Sequence, residues 1–158
     1  MPREPPFGPW TSGEAPIVVL DTDRGTIEIR TFPDVAPYHV AILVALVRSK
    51  GYDGLPWHRV VSNFVVQGGD PEGTGWGGPG WTLPDEISTA RFGRGVLGMP
   101  KAGKDTGGCQ LFLTHIPTPH LDGNYTVFGE IVSGVEVLDR IEVGDLIRTA
   151  RVAGNPTD

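Results

Sequence analysis

Ile17-Val18-Val19-Leu20-Asp21-Thr22-Asp23-Arg24-Gly25-Thr26-Ile27-Glu28-Ile29-Arg30-Thr31-Phe32 is the stretch on which the reading of the fold turns. A β-branched run leads into Asp23-Arg24-Gly25, a turn composition, and beyond it Ile27 and Ile29 alternate with Glu28 and Arg30. That spacing predicts a β-hairpin with one buried and one wet side. Downstream, Pro37 suits the first turn of a helix, Val40, Leu43, Val44 and Val47 recur at three and four spacing, and Gly51 stops the pattern after Arg48 and Lys50. Further β-rich runs stand at Trp57 to Val60, Phe64 to Gln67, Val96 to Met99, Gln110 to Thr114, Thr126 to Ile131 and Leu146 to Val152, which with the hairpin makes eight. Ser133 and Glu136 have capping-box spacing ahead of Val137, Leu138 and Ile141, and Gly144 closes that second helix. With 23 glycines and 15 prolines, turns are abundant and long helices cannot dominate the fold. The expected class is mainly β: a closed eight-stranded antiparallel barrel capped by two α-helices, with a β-sandwich as runner-up.

At 158 residues the chain holds one domain. The first fifteen residues, MPREPPFGPWTSGEA, carry four prolines and read as an arm or linker, leaving residues 16–158 as the folded unit. A formal net charge of −6 argues against nucleic acid as a partner. The longest apolar run, Val40 to Val47, is far shorter than the ~20 residues of a membrane span. The lone cysteine, Cys109, cannot close an intrachain disulfide or build a thiolate metal site. With no targeting signal read, the default expectation is a cytoplasmic monomer.

Three motifs match on paper and fail on context. Gly73-x-Gly75-x-x-Gly78 has dinucleotide-fingerprint spacing, but Pro79-Gly80 follows where a helix must begin. Gly98 to Lys104 resembles a phosphate loop, yet Asp105 stands where a Ser or Thr would hold magnesium. Asn124-Tyr125-Thr126 is a glycosylation sequon without a signal peptide. The four histidines, His39, His58, His115 and His120, show no metal-ligand spacing, so no metal and no cofactor are expected. Cys109 reads as a small buried residue, not a nucleophile.

The strongest signal is Trp57-His58-Arg59-Val60-Val61-Ser62-Asn63-Phe64-Val65-Val66-Gln67-Gly68-Gly69-Asp70. In order and spacing it resembles the core segment of the cyclophilin family. The resemblance continues through Gly95 to Met99, Gly107-Gly108-Cys109-Gln110-Leu111-Phe112, His120-Leu121-Asp122-Gly123 and Val127-Phe128-Gly129, spanning Ile17 to Val152. It implies an eight-stranded barrel with two helices and catalysis of cis-trans isomerisation at X-Pro bonds, with proline-containing polypeptides as partners. Rotation about such a bond crosses a barrier of about 18–20 kcal/mol. A donor that meets the prolyl nitrogen more strongly when it is pyramidal than when it is planar lowers that barrier without a covalent intermediate.

By the resemblance, Arg59 is the catalytic donor. Phe64, Phe112 and Leu121 form the apolar slot for the proline ring with Val65 at its edge, although each alone reads as ordinary core. Gln67 holds the substrate backbone and steadies the arginine, while Gln110 and main chain near Pro100, Lys101 and Ala102 line an adjoining subsite. His58 either shapes the wall or lies hydrogen-bonded beneath it. Departures cluster in the groove: His120 where tryptophan is usual, Tyr125 where histidine is frequent, Val65 where methionine is usual and Pro100-Lys101 where Ala-Asn is common. They leave weak cyclosporin binding at most and an altered preference before proline. They also motivate an alternative, a proline-segment binding module with little turnover.

Overall fold

The computed structural model describes residues 7–11, 13–75 and 77–154, so residues 1–6 and 12 of the expected arm, and 155–158 of the expected domain, lie outside the described residues. The hairpin forms as its alternation predicts: β1 (Ile17–Thr22) pairs antiparallel with β2 (Gly25–Thr31), in register from Ile17 against Arg30 to Thr22 against Gly25. Ile27 and Ile29 are buried while Arg30 is exposed. The Thr22 hydroxyl closes the turn by donating to the Gly25 carbonyl at 2.7 Å.

Helix α1 (Pro37–Arg48) buries Val40, Ile42, Leu43, Val44 and Val47. Ala36 supplies no side-chain cap. Instead the Glu86 carboxylate, arriving from a distant loop, accepts the N–H groups of Tyr38 at 3.2 Å and His39 at 2.8 Å, a negative charge placed where the helix dipole favours one. Beside this turn the Trp10 N–H donates to the Pro37 carbonyl at 2.9 Å, and its side chain packs on the core.

The remaining strands are β3 (Leu55–Pro56), β4 (Arg59–Val61), β5 (Val65–Gly68), β6 (Val96–Gly98), β7 (Leu111–Thr114), β8 (Val127–Ser133) and β9 (Leu146–Val152). They form one nine-stranded antiparallel sheet in the order β3-β9-β1-β2-β8-β6-β7-β5-β4. The sheet curls into a barrel whose two edge strands, β3 and β4, share no ladder among the described residues and are joined through Trp57 and His58. Of the expected strand Trp57 to Val60, Arg59 and Val60 belong to β4, while Trp57 is fully buried and its backbone bonds to Gly144 and Asp145 at the seam. The ninth strand, Leu55–Pro56, lies outside the expected runs and pairs with β9.

The second expected α-helix is a six-residue 3-10 helix, Val135–Arg140. The Ser133–Glu136 capping box does not form: Ser133 is still paired with Glu28 in the ladder. The chain turns at Gly134, with φ of 85° and room for no side chain, since a Cβ there would sit 2.1 Å from the Thr26 carbonyl. The helix ends at Ile141, and Gly144 serves the next turn. A further 3-10 turn spans Pro119–Leu121. No helix among the described residues is long and apolar enough to cross a membrane.

Alternation along β5, β6 and β7 builds two apolar layers. Val66, Leu97, Leu111 and Leu113 point into the barrel, whereas Val65, Val96 and Phe112 point outward and gather Phe92, Leu121 and Val127 into a second cluster. That outer layer carries the site.

Candidate active site

Register aligns the central residues. Arg59 on β4 faces Gln67 on β5, Gln67 faces Phe112 on β7, and Phe112 faces Gly98 on β6, so an arginine, an amide and a phenyl ring stand in one row on the outer side of the sheet. Gly98 makes the row possible: a Cβ there would lie 2.3 Å from the Phe112 ring and 2.6 Å from that of Phe92. Phe112 stacks on Phe92 with centroids 5.5 Å apart and meets Tyr125 edge-on at 6.1 Å. Asp122 fixes this base by accepting the Phe92 N–H at 2.8 Å.

These side chains bound a slot of about 230 Å³. Phe64, Val65, Phe112 and Leu121 form its apolar part, Arg59 and Gln67 one rim, and Pro100, Lys101 and Tyr125 the other. Val65, expected at the edge, is 2% exposed and belongs to the wall. Arg59 donates to Gln67 Oε1 at 3.3 Å, and its guanidinium carbon lies 5.9 Å from the Phe64 ring centre. Phe64 is held by two bonds to His115: its carbonyl accepts the His115 N–H at 2.8 Å and its own N–H reaches Nδ1 at 3.3 Å. His115 was noticed only as a non-ligand; nothing in the local sequence signals that it anchors the slot.

A second cavity of about 400 Å³ shares Gln67, Pro100 and Lys101 with the slot. Ala102 and Gln110 line it as expected, and its other walls are Trp81, Thr82 and main chain around Gly75, Gly77 and Gly107. Lys101 stands between the two spaces, its Nζ 2.8 Å from Asp85 Oδ2 and 5.1 Å from the Tyr125 ring centre.

Two predicted residues line neither cavity. His120 is exposed and stacks on Phe64 with ring centroids 5.5 Å apart. His58 sits under the glycine loop, its ring 3.6 Å from where a Gly75 Cβ would be, and among the described residues neither ring nitrogen has a hydrogen-bond partner. Burial lowers its pKa and Arg59 adds to that, against an opposing pull from Asp70. Cys109 borders the second cavity, and burial pushes its thiol up to about 11, so it stays protonated and is a poor nucleophile at neutral pH. Among the described residues, no group of three or more His, Cys, Asp or Glu side chains converges.

An arginine that can only donate, poised over an apolar ring-sized slot, is suited to gripping a cyclic side chain and meeting a lone pair beside it. Comparison with known proteins agrees. Residues 17–157 match the family described as cyclophilin type peptidyl-prolyl cis-trans isomerase/CLD. Peptidyl-prolyl cis-trans isomerase B of Bacillus subtilis is 46% identical over 134 residues, covering 84% of this chain and 94% of that protein. A peptidyl-prolyl cis-trans isomerase of Helicobacter pylori is 45% identical, covering 82% of each chain. The crystal structure of a cyclophilin type isomerase from Cryptosporidium parvum, determined in the presence of the dipeptide Ala-Pro, superimposes with a TM-score of 0.84 at 30% identity, covering 88% of this chain and 99% of that one. The chain belongs to the cyclophilin-type peptidyl-prolyl cis-trans isomerase family and is an isomerase.

Proposed function

We propose that Arg59 performs the isomerisation of X-Pro bonds from the mouth of the slot. The single observation that carries this reading is the row Arg59–Gln67–Phe112, which sets a charged donor beside a pocket of proline-ring size. With the ring held between Phe64, Phe112 and Leu121, the amide linking it to the preceding residue lies under the guanidinium. In the planar state the nitrogen lone pair is delocalised into the carbonyl. As the bond twists the lone pair localises on nitrogen, and an Arg59 N–H donates to it more strongly than it could in the ground state. Every 1.36 kcal/mol gained this way multiplies the rate about tenfold. Val65 completes the wall, Gln67 steadies both the arginine and the substrate backbone, and Pro100, Lys101, Ala102, Gln110 and Tyr125 receive the residues preceding proline. His58 acts from behind these surfaces, and His120 through its stacking on Phe64.

Under this reading the partners are proline-containing segments of polypeptides, met by a monomer in the cytoplasm that needs no cofactor and has no nucleic-acid partner. Residues 16–158 form the isomerase domain and 1–15 an arm, of which Trp10 contacts the first turn of α1. Cyclosporin affinity is weak at most, since His120 supplies neither an indole donor nor a slot wall.

The test is exchange NMR on an Ala-Pro-containing tetrapeptide. Arg59→Ala is expected to cut kcat/KM by roughly 10²–10³-fold while peptide-induced shifts at Phe112 and Leu121 persist. Full activity in the variant overturns the assignment, and binding without acceleration in the intact protein favours a binding module.

A further inference from the structure

We propose that Asp70 is a positioning residue for this reaction: its buried carboxylate takes up the N–H groups of Gly75 and Gly77, and the carbonyls of the same two residues are thereby left to orient Gln110, Gln67 and finally Arg59. The inference rests on the reading of Arg59 given above and extends it.

Asp70 is fully buried, and a buried carboxylate is costly unless its oxygens are hydrogen-bonded. The following loop meets that demand. Oδ1 accepts the Glu72 N–H at 2.9 Å, and Oδ2 accepts those of Thr74 at 2.9 Å, Gly75 at 2.5 Å and Gly77 at 3.2 Å, four backbone donors among the described residues. Burial by itself pushes the Asp70 carboxyl up, but these donors outweigh it and hold the group below its ordinary value. The loop is thus wound on a charge, and it is wound tightly: a Cβ on Gly77 would lie 1.8 Å from Oδ1. The approach to Asp70 is equally constrained, because Gly69 has φ of +84° and a Cβ there would lie 2.8 Å from the Tyr52 ring.

Donor and acceptor logic then runs outward. With their N–H groups directed at Asp70, Gly75 and Gly77 offer carbonyls to the site, and Gln110 Nε2 donates to both at 3.0 Å. That orientation leaves Gln110 Oε1 to accept from Gln67 Nε2 at 2.9 Å, and Gln67 Oε1 to accept from Arg59 at 3.3 Å. A guanidinium has no acceptor, so only this sense of both amides satisfies the chain from end to end. If the loop turned its N–H groups toward Gln110, both amides would have to flip and present NH₂ to Arg59. The carboxylate that excludes this arrangement touches neither substrate nor arginine.

The experiment compares intact protein with Asp70→Ala and Asp70→Asn, reading the Gln110 side-chain NH₂ resonances together with kcat and KM on the tetrapeptide. For Asp70→Ala we expect the Gln110 signals to move to free-glutamine positions. We also expect kcat to fall roughly tenfold with KM within about twofold, because the apolar slot stays intact while the donor loses its alignment. Asp70→Asn, which keeps one acceptor oxygen, should fall between. A folded Asp70→Ala protein with native Gln110 signals and native kcat overturns the proposal and leaves Asp70 a purely structural residue. Should that variant not fold, Gly77→Ala puts the same question without removing a charge: the same Gln110 shift and kcat loss are expected, and their absence overturns it. If the intact protein itself does not accelerate the peptide, the reading of Arg59 has failed, and the Gln110 resonances in the variants still decide whether Asp70 orients the amides.

Discussion

The two halves of the groove are built from different materials. The slot is made of packed side chains, Val65 and Phe112 from paired strands and Leu121 from the 3-10 turn, all under 10% exposed and backed by Phe92. Its neighbour is walled largely by main chain of a glycine-rich loop, held in place by one carboxylate and one glutamine. Packing shapes the first and hydrogen-bond direction shapes the second. On the function proposed above, the slot takes the proline ring, whose one shape suits a rigid apolar mould, and a backbone-lined space beside it would impose little side-chain selection on the varied residues before proline.

The contrast can be broken most forcefully at Phe112. Phe112→Ala removes the floor of the slot and a buried ring, so a stability loss of about 3–5 kcal/mol, seen in denaturant unfolding, should accompany loss of nearly all turnover. Gly98→Ala probes the same mould from beneath: the added methyl must push Phe112 or Phe92, with an expected cost of about 1–3 kcal/mol and a raised KM because the displaced ring intrudes on the slot. A native KM there would show that the wall yields where packing says it cannot.

Acid separates the halves without mutation. Because the folded pKa of Asp70 lies below its unfolded value, its contribution to stability is complete above about pH 4 and is lost as pH falls through the folded pKa. His58, the neighbouring titratable group, is neutral near pH 7 and acquires a proton at lower pH, which helps sustain the carboxylate. Protection factors of the loop amides, corrected for the intrinsic pH dependence of exchange, should therefore fall only below pH 4, while Leu113 and Val66 in the barrel stay protected. Loop protection that is unchanged down to pH 2 would contradict the carboxylate's part in holding it. The smallest effect on turnover is expected at Lys101→Met, which leaves Asp85 unpaired at the boundary between the two spaces. On a panel of X-Pro peptides, lysine before proline should gain over glutamate by about two- to threefold, and because the pair is largely buried a stability loss of about 1–3 kcal/mol should accompany the change.

Much of this was legible in the chain, and the exceptions have physical reasons. The hairpin and α1 show plainly because each has one buried face, and a periodic pattern reports one face well. Leu111-Phe112-Leu113-Thr114 is buried throughout, so its spacing cannot say which residues fill the barrel and which the outer layer. Arg59, Phe64 and Gln67 are legible through family resemblance; the ladder then sets Arg59 against Gln67, and the bonds to His115 hold Phe64 beside them. Asp70 stood inside the quoted segment with no role, since a carboxylate that serves a loop needs the loop's path before its partners exist. Glu86 capping α1 from 47 positions away is invisible for the same reason. The Ser133–Glu136 pattern misled because the ladder claimed Ser133 first.

One feature of the barrel bears on the company such an enzyme keeps. Its two sheet margins are only two and three residues long, and one of them ends in Pro56, which has no N–H to offer. Unfinished chains are rich in unpaired strands looking for a template, and a long free margin would recruit them into mixed aggregates. Here the margins run into each other through a buried tryptophan, so an incoming client finds a groove to enter and almost no border to extend.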